Sequence, residues 1–464
     1  MSHERSCPVP ATMEGSRQAR GRITVYLPAA DFSADSGGTR LRVFGRARAM
    51  TQTHTSAEPT LFRIAGFPYF LIAFIARLPF AMMVVGVLTV VVSARGSLSL
   101  GGLTSAAVGL GTACFGPLLG AAADRFGQRV VLLIVALANG TMLLLFTAVV
   151  YGDSPDALVL IAAIGIGATA PQVSPLSRSR LVTLIRERVE DSRQPRTVSG
   201  TMAYESAADE TVFVFGPFIV GILASAIAPW APLVGAAMLT VVFVGAFALH
   251  PSARHVSRER GEDGKALSSV SELFRPQLLV VILGILGVGI FFGTMLTSLT
   301  SFMADRDAAE QAGLLYGVMG VGSAVLALGV AWLPPAFSLR ARWLVFSGIL
   351  LAGSLLLGLV DSPEMMMLAL AIMGIGIGPT LVTQYSFGAA LSPRGRSATV
   401  MTMLGSGIVV GQSIGAAVAG DIAENIGTSA ALVLPMFAAA VAFGAGLLNW
   451  VLSSTRRRRR AVAA

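Results

Sequence analysis

Charge is scarce in this sequence. Only 13% of its 464 residues are Asp, Glu, Lys or Arg, about half the share of a soluble domain. A water-soluble protein of this length needs far more charged surface, which excludes a cytosolic enzyme and a disordered chain alike. Lysine is all but missing: of 34 basic residues only Lys265 is not Arg, a bias that fits a GC-rich bacterial genome. Cysteine is equally rare. Cys7 lies in a polar leader and Cys114 in an apolar segment, so no disulfide scaffold is possible. The four histidines lie outside the apolar segments or, for His250, at the end of one. No His-Glu-x-x-His and no Gly-x-x-x-x-Gly-Lys occurs, which argues against a membrane metalloprotease and against ATP as the driver. No metal or organic cofactor is expected.

What the chain does have is hydrophobicity: 54% of its residues are apolar and the mean hydropathy is +0.73. The net charge of +9 is confined to the ends. Residues 1–49 hold eight Arg against four acids, and Arg456 to Arg460 form a second basic run. The body between them is neutral, so no basic face for nucleic acid is expected. The composition is that of an integral membrane protein.

A bilayer core of about 30 Å takes roughly 20 apolar residues as helix. Twelve such stretches occur, six before residue 251 (67–93, 101–121, 130–150, 157–176, 203–229 and 231–250) and six after it (278–302, 312–334, 343–360, 364–390, 397–420 and 428–452). With a cytoplasmic N-terminus, the basic residues fall almost entirely on inside loops and tails. They are Arg125 and Arg129, then Arg178 to Arg196, Arg254 to Arg275, Arg340, Arg342, Arg394, Arg396 and the C-terminal run. Outside loops carry only Arg95 and Arg306, and Arg77 falls within the first span. That bias places both termini in the cytoplasm. Residues 1–65 lack the apolar core of a secretory signal and read as a disordered cytoplasmic tail, with Met50 a candidate true start. The resulting order is an N-terminal six-helix bundle over 66–250, a central cytoplasmic loop over 251–276, a C-terminal bundle over 277–453 and a basic tail over 454–464.

The halves echo each other. Ile164-Gly165-Ile166-Gly167-Ala168-Thr169 matches Ile375-Gly376-Ile377-Gly378-Pro379-Thr380 at an offset of 211 residues. The same offset carries the starts of the first two spans onto those of the seventh and eighth. Parallel repeats about an axis along the membrane normal follow, with a binding site between them at the midplane.

Between the second and third spans stands Gly120-Ala121-Ala122-Ala123-Asp124-Arg125-Phe126-Gly127-Gln128-Arg129. Gly120 permits close packing, Gly127 a tight turn, and Asp124 can pair with an Arg or cap a helix. The run resembles the signature loop of the major facilitator superfamily, Gly-x-x-x-Asp-Arg-x-Gly-Arg-Arg, with Gln128 where a basic residue is usual. The resemblance covers residues 66–453. It implies an all-α membrane transporter of two pseudo-symmetric six-helix bundles, with Gly120, Asp124, Arg125, Gly127 and Arg129 in a gating loop that latches the halves. The second-half counterpart around Pro335 to Arg340 lacks the acid, so the latch is asymmetric.

Gly216-Pro217-Phe218-Ile219-Val220-Gly221 in the fifth span is similar to the Gly-x-x-x-Gly-Pro-x-x-Gly-Gly of proton-coupled drug exporters in that superfamily. Gly216, Pro217 and Gly221 are kept, while Val212 and Val220 depart. A Gly-Pro pair also simply bends a helix, and both readings stand.

Ionisable groups inside spans are costly and point to function. Glu205 and Asp209, spaced i, i+4, share a helix face, and Glu210 is turned about 100° away. With a span starting near residue 202, Glu210 lies about 12 Å into the helix, where a carboxylate can carry a proton. Alternatively, Phe213 to Ala231 spans alone and the acids are solvated at headgroup level. Arg77 calls for a buried partner, Asp209 or Glu210, unless residues 67–76 lie along the interface. Gln172, Gln384 and Tyr385 occupy spans that line the central cavity in the superfamily, while Gln412 and Asn139 are less well placed. Each can equally be interhelical glue.

The function implied is proton-coupled export of a small, partly apolar molecule such as a drug, antibiotic or sugar-like compound, by a functional monomer in a bacterial inner membrane. An importer or facilitator on the same fold is the alternative. A membrane-embedded enzyme or a receptor scaffold is the distant one, since no nucleophile, base or metal cluster converges within the spans.

Overall fold

The computed structural model describes residues 65–253, 268–308, 311–334 and 336–463. The expected N-terminal tail, including Met50, and most of the central loop lie outside these residues. Among the described residues, twelve helices are long and apolar enough to cross a membrane. They are Phe67–Arg95, Leu100–Phe126, Gln128–Tyr151, Asp156–Arg188, Gln194–Ala226, Ala231–Leu249, Pro276–Ala304, Ala312–Trp332, Leu339–Leu359, Pro363–Leu391, Ser397–Asn425 and Thr428–Ser453. Large apolar side chains such as Leu103, Ile134, Leu137, Phe218 and Leu368 are exposed on their outer faces, as they must be where the solvent is hydrocarbon.

The two halves repeat one packing scheme. In the first half the first span packs on the fifth, the second on the fourth and the third on the sixth; the seventh packs on the eleventh, the eighth on the tenth and the ninth on the twelfth. Two glycines related by the 211-residue offset make equivalent close approaches, with partner carbonyls one helical turn apart in register. A Cβ on Gly167 would stand 2.0 Å from the Val108 carbonyl oxygen, and one on Gly378 would stand 2.1 Å from that of Ser323. Small residues let the backbones touch where a side chain would hold them apart.

Two spans are interrupted beside the buried charges. The first is split into Phe67–Ile75 and Leu78–Arg95, with Pro79 setting the start of the second piece. The fourth is split into Asp156–Ala168 and Val173–Arg188, with Pro171 in the break.

The fourth and fifth spans depart from the sequence expectation. The fourth runs to Arg188 and the fifth begins at Gln194, so the expected loop over 177–202 shrinks to five residues. Arg178 and Arg180, expected on an inside loop, are buried within the fourth span, and Arg342 is buried in the ninth. The reason is local. Leu176, Leu181, Val182, Leu184 and Ile185 give Val173–Arg188 an apolar surface to bury, and both arginines find acceptors inside.

Candidate functional site

Four charged side chains meet between the first, fourth and fifth spans. Arg77 pairs with Glu205, and its Nε lies 3.2 Å from Asp209 Oδ1. Arg178 Nη2 lies 2.8 Å from Asp209 Oδ2. Arg77, Arg178 and Glu205 are buried, while Asp209 retains 22% of its side-chain exposure. Two guanidinium and two carboxylate groups balance, which is the condition for holding charge away from water. Serine hydroxyls complete the set. Ser174 donates to Asp209 at 2.6 Å, Ser177 donates to Glu205 at 3.0 Å, and Tyr69 and Ser177 share a hydroxyl contact of 2.8 Å. The break at Arg77 turns its side chain toward the fifth span. The Glu205 and Asp209 spacing presents both acids to it.

The expected partner of Arg77 is therefore half corrected: Asp209 is one partner, but Glu205 is the other and Glu210 is not. Glu210 sits a third of a turn away and accepts a hydrogen bond from Ser323 of the eighth span, in the other half. Its second carboxylate oxygen is buried without a hydrogen-bond partner. The acids lie in the body of a helix that begins eight residues before the expected start near 202, and Glu205 is fully buried.

Arg178 joins the halves as well. Its guanidinium lies 3.9 Å from the ring centre of Tyr385 in the tenth span, a cation–π geometry. Gln384 is buried with both amide atoms unpartnered, close to Gly284 and Trp343. Gln172 is buried too, but its Nε2 is taken by the Ala170 carbonyl at 3.1 Å. Asn139 bonds the Ile166 carbonyl at 3.0 Å and ties the third span to the fourth, as glue does. Gln412 is half-buried.

At the end carrying the signature loop, the halves are joined by further contacts. Asp124 accepts the backbone N–H groups of Ala398 and Thr399 at 3.1 and 2.7 Å and the Thr399 hydroxyl at 2.6 Å. A carboxylate thus sits on the N-terminus of the eleventh span, where the helix dipole favours it. Gly120 packs there too, since a Cβ would meet Thr402 Oγ1 at 2.0 Å. Arg186 donates to the Ala389 carbonyl at 2.7 Å near the C-terminus of the tenth span. Arg342 donates to Ser199 at 3.2 Å. Gly127 makes the turn with φ of 93°. Arg125 and Arg129 are exposed, and Arg125 lies over the Phe126 ring.

Gln128 is fully buried and accepts from Arg180 Nε at 3.0 Å. Arg180 also donates to the Phe247 carbonyl at 2.9 Å and to Ser252. A basic residue at 128 would face a buried guanidinium, which accounts for the departure from the usual motif. In the fifth span, a Cβ on Gly216 would lie 2.5 Å from Ala81 Cβ, whereas Gly221 has open space. Pro217 stands inside the same helix.

Sequence reasoning missed Tyr69, Ser174, Ser177, Arg178, Arg180 and Ser323. The available signal was the apolar spacing of Leu176, Leu181, Leu184 and Ile185 around the two arginines. Among the described residues, no group of three or more His, Cys, Asp or Glu is placed to hold a metal ion.

The fold has known counterparts. The chain is similar in structure to the human organic anion transporter MFSD10, with 20% identity over 83% of this chain and 99% of that one, at a TM-score of 0.63. It is similar to a bacterial homologue of the iron transporter ferroportin in its outward-facing state, with 16% identity over 82% and 98% and a TM-score of 0.68. The E. coli fucose:proton symporter follows, with 15% identity over 82% and 98% and a TM-score of 0.58. No curated protein matches the sequence significantly. The family model described as Major Facilitator Superfamily matches residues 69–416. With its twelve spans and two repeated halves, this chain belongs to the Major Facilitator Superfamily and is a multi-pass membrane transporter of small molecules, not an enzyme.

Proposed function

We propose that the protein exports a small, partly apolar molecule in exchange for protons. It does so by alternating access, as a functional monomer in a bacterial inner membrane with both termini in the cytoplasm. The observation that carries this reading is Glu210, a carboxylate within a span whose hydrogen-bond partner is a hydroxyl in the opposite half. An ionised Glu210 accepts the Ser323 hydroxyl and holds the fifth span against the eighth. A proton on Glu210 removes the charge that makes this contact strong. Proton binding thereby biases the equilibrium between two arrangements of the halves, the requirement for coupling.

The neighbouring cluster supplies the second element. Asp209 is its partly exposed member, and Arg178 reaches from Asp209 to Tyr385 across the interface. A solute entering between the halves meets Asp209, Arg178 and Tyr385 together with the unpaired amide of Gln384. Their mostly apolar surroundings favour a partly apolar solute. The exporter-like run at Gly216, Pro217 and Gly221 supports the outward direction, and the Arg-rich ends support the orientation.

The test is dye or drug accumulation in cells producing the protein, with and without a protonophore, beside Asp209→Asn and Glu210→Gln. Accumulation lowered by the parent, and restored by protonophore and by either variant, supports proton-driven export. Variants that export like the parent remove the fifth-span acids from the coupling, and lowering by the parent that the protonophore leaves unchanged favours an uncoupled facilitator.

A further inference from the structure

We infer that the end of the protein bearing the Asp124 loop is a docking surface for anionic phospholipid headgroups, and that its principal element is the Arg456–Arg460 run closing the twelfth helix. Three placements lead there. First, the twelfth helix is continuous from Leu434 to Ala463, whereas its apolar residues give way after Leu452 to a polar stretch that opens at Ser453. The run starts three residues later, about 4.5 Å along the axis, and occupies about 7.5 Å more. That is the depth of one headgroup layer, roughly 5–8 Å on each side of the hydrocarbon core. Second, Trp450 is exposed on the same helix just before the run, where an indole marks the boundary between hydrocarbon and headgroups.

Third, the two ends of the molecule differ in charge. Helices alternate in direction, so the end of the twelfth lies with the loops after the second, fourth and tenth. Exposed Arg125, Arg129, Arg186, Arg188, Arg196 and Arg394 lie in those loops or on the helix ends beside them. Among the described residues these arginines, with Arg193 and Arg275, outnumber the acids at that end, Glu187, Glu190, Asp191 and Glu272. The opposite end is the reverse, with Asp153, Asp156, Asp305, Asp307, Asp421 and Glu424 exposed. Its two arginines are spent on backbone: Arg95 on the Val150 and Gly152 carbonyls, both at 2.8 Å, and Arg306 on those of Phe302 and Asp361 at 3.0 and 2.9 Å. Only one end can hold an anionic surface. A helix that enters the run directly from the bilayer meets lipid phosphate before any soluble partner, and juxtamembrane basic clusters bind anionic lipid.

The experiment is native mass spectrometry of the purified full-length protein in maltoside micelles, offered equimolar dioleoyl phosphatidylglycerol and dioleoyl phosphatidylcholine. The parent should retain at least about fivefold more phosphatidylglycerol. A variant carrying Arg456→Gln, Arg457→Gln, Arg458→Gln, Arg459→Gln and Arg460→Gln together should fall to within about twofold. An unchanged melting temperature shows that this variant is folded. Asp153→Asn, at the other end, should leave the preference intact. Equal retention of both lipids by the parent overturns the proposal, as does an undiminished preference in the five-site variant. Displacement of the lipid by millimolar glycerol phosphate overturns it in favour of a site for soluble phosphate.

Discussion

Asp124 and Thr399 are 275 residues apart in sequence, yet the carboxylate of one takes both the backbone N–H and the hydroxyl of the other, at 2.7 and 2.6 Å. Asp124 belongs to the first half and Thr399 to the second, so this contact closes one end of the molecule. Arg186 does the complementary work on the adjoining helix end, a cation at a C-terminus where Asp124 is an anion at an N-terminus. Together they hold both sides of the short loop between the tenth and eleventh spans.

Asp124→Asn should therefore loosen this end without unfolding the protein. Loss of the charge at the helix terminus costs about 1–2 kcal/mol, and Thr399→Val, which removes the hydroxyl donor and keeps both backbone ones, costs about 1 kcal/mol. Spin labels at Ser192→Cys and Arg394→Cys, read by double electron–electron resonance, should show a longer-distance population that grows from parent to Thr399→Val to Asp124→Asn. An unchanged distance distribution in Asp124→Asn would show that the contact does not hold the end closed.

The Arg77 and Glu205 pair makes a prediction about stability. Arg77→Met leaves Glu205 buried without its cation and should cost about 3–5 kcal/mol. Adding Glu205→Leu removes the orphaned charge and leaves Arg178 with Asp209 as a balanced pair. The double variant should consequently melt higher than Arg77→Met alone. Additive losses in thermal unfolding would mean that the two side chains are not energetically coupled.

Two glycines of the exporter-like run should behave differently. Gly216→Ala drives a methyl group against Ala81 and should cost about 1–3 kcal/mol. Gly221→Ala meets open space and gains helix propensity, so it should be neutral or slightly stabilising. If the two variants melt alike, close packing between the first and fifth spans is not what position 216 requires.

His250, just past the sixth span, should make the protein sensitive to acid. Burial first, and the Arg180 charge second, hold its pKa below the ordinary 6.5. Its Nδ1 also accepts the Ser252 backbone N–H at 3.3 Å, which a protonated ring cannot do. The folded state thus favours the neutral ring. Its contribution is complete above pH 6.5 and is lost as pH falls through the lower folded-state value. The melting temperature should drop between about pH 7 and pH 5, and His250→Gln should flatten that slope.

Much of this architecture was legible in the residues themselves. Twelve apolar stretches, the 211-residue offset and the Gly120 to Arg129 run each depend on near neighbours in sequence, because a bilayer demands about 20 consecutive apolar residues wherever a helix crosses. The acids of the fifth span were legible for the same reason, since a carboxylate in an apolar run stands out without knowledge of its partner.

Partners were another matter. Counting hydropathy assigned Arg178 and Arg180 to a loop because it charges every guanidinium the full cost of burial, whatever faces it. Asp209, the Phe247 carbonyl and Gln128 lie tens of residues away and remove that cost only once the helices have packed. The allocation of Arg77 to Glu205 and Asp209, and of Glu210 to Ser323, was decided likewise by the angle at which the fifth span presents its faces. The sequence by itself determined which segments cross the membrane and that charge lies among them. Only the tertiary structure decided which charges neutralise one another and which one reaches across to the opposite half, because electrostatic pairing depends on distances between helices that no local pattern encodes.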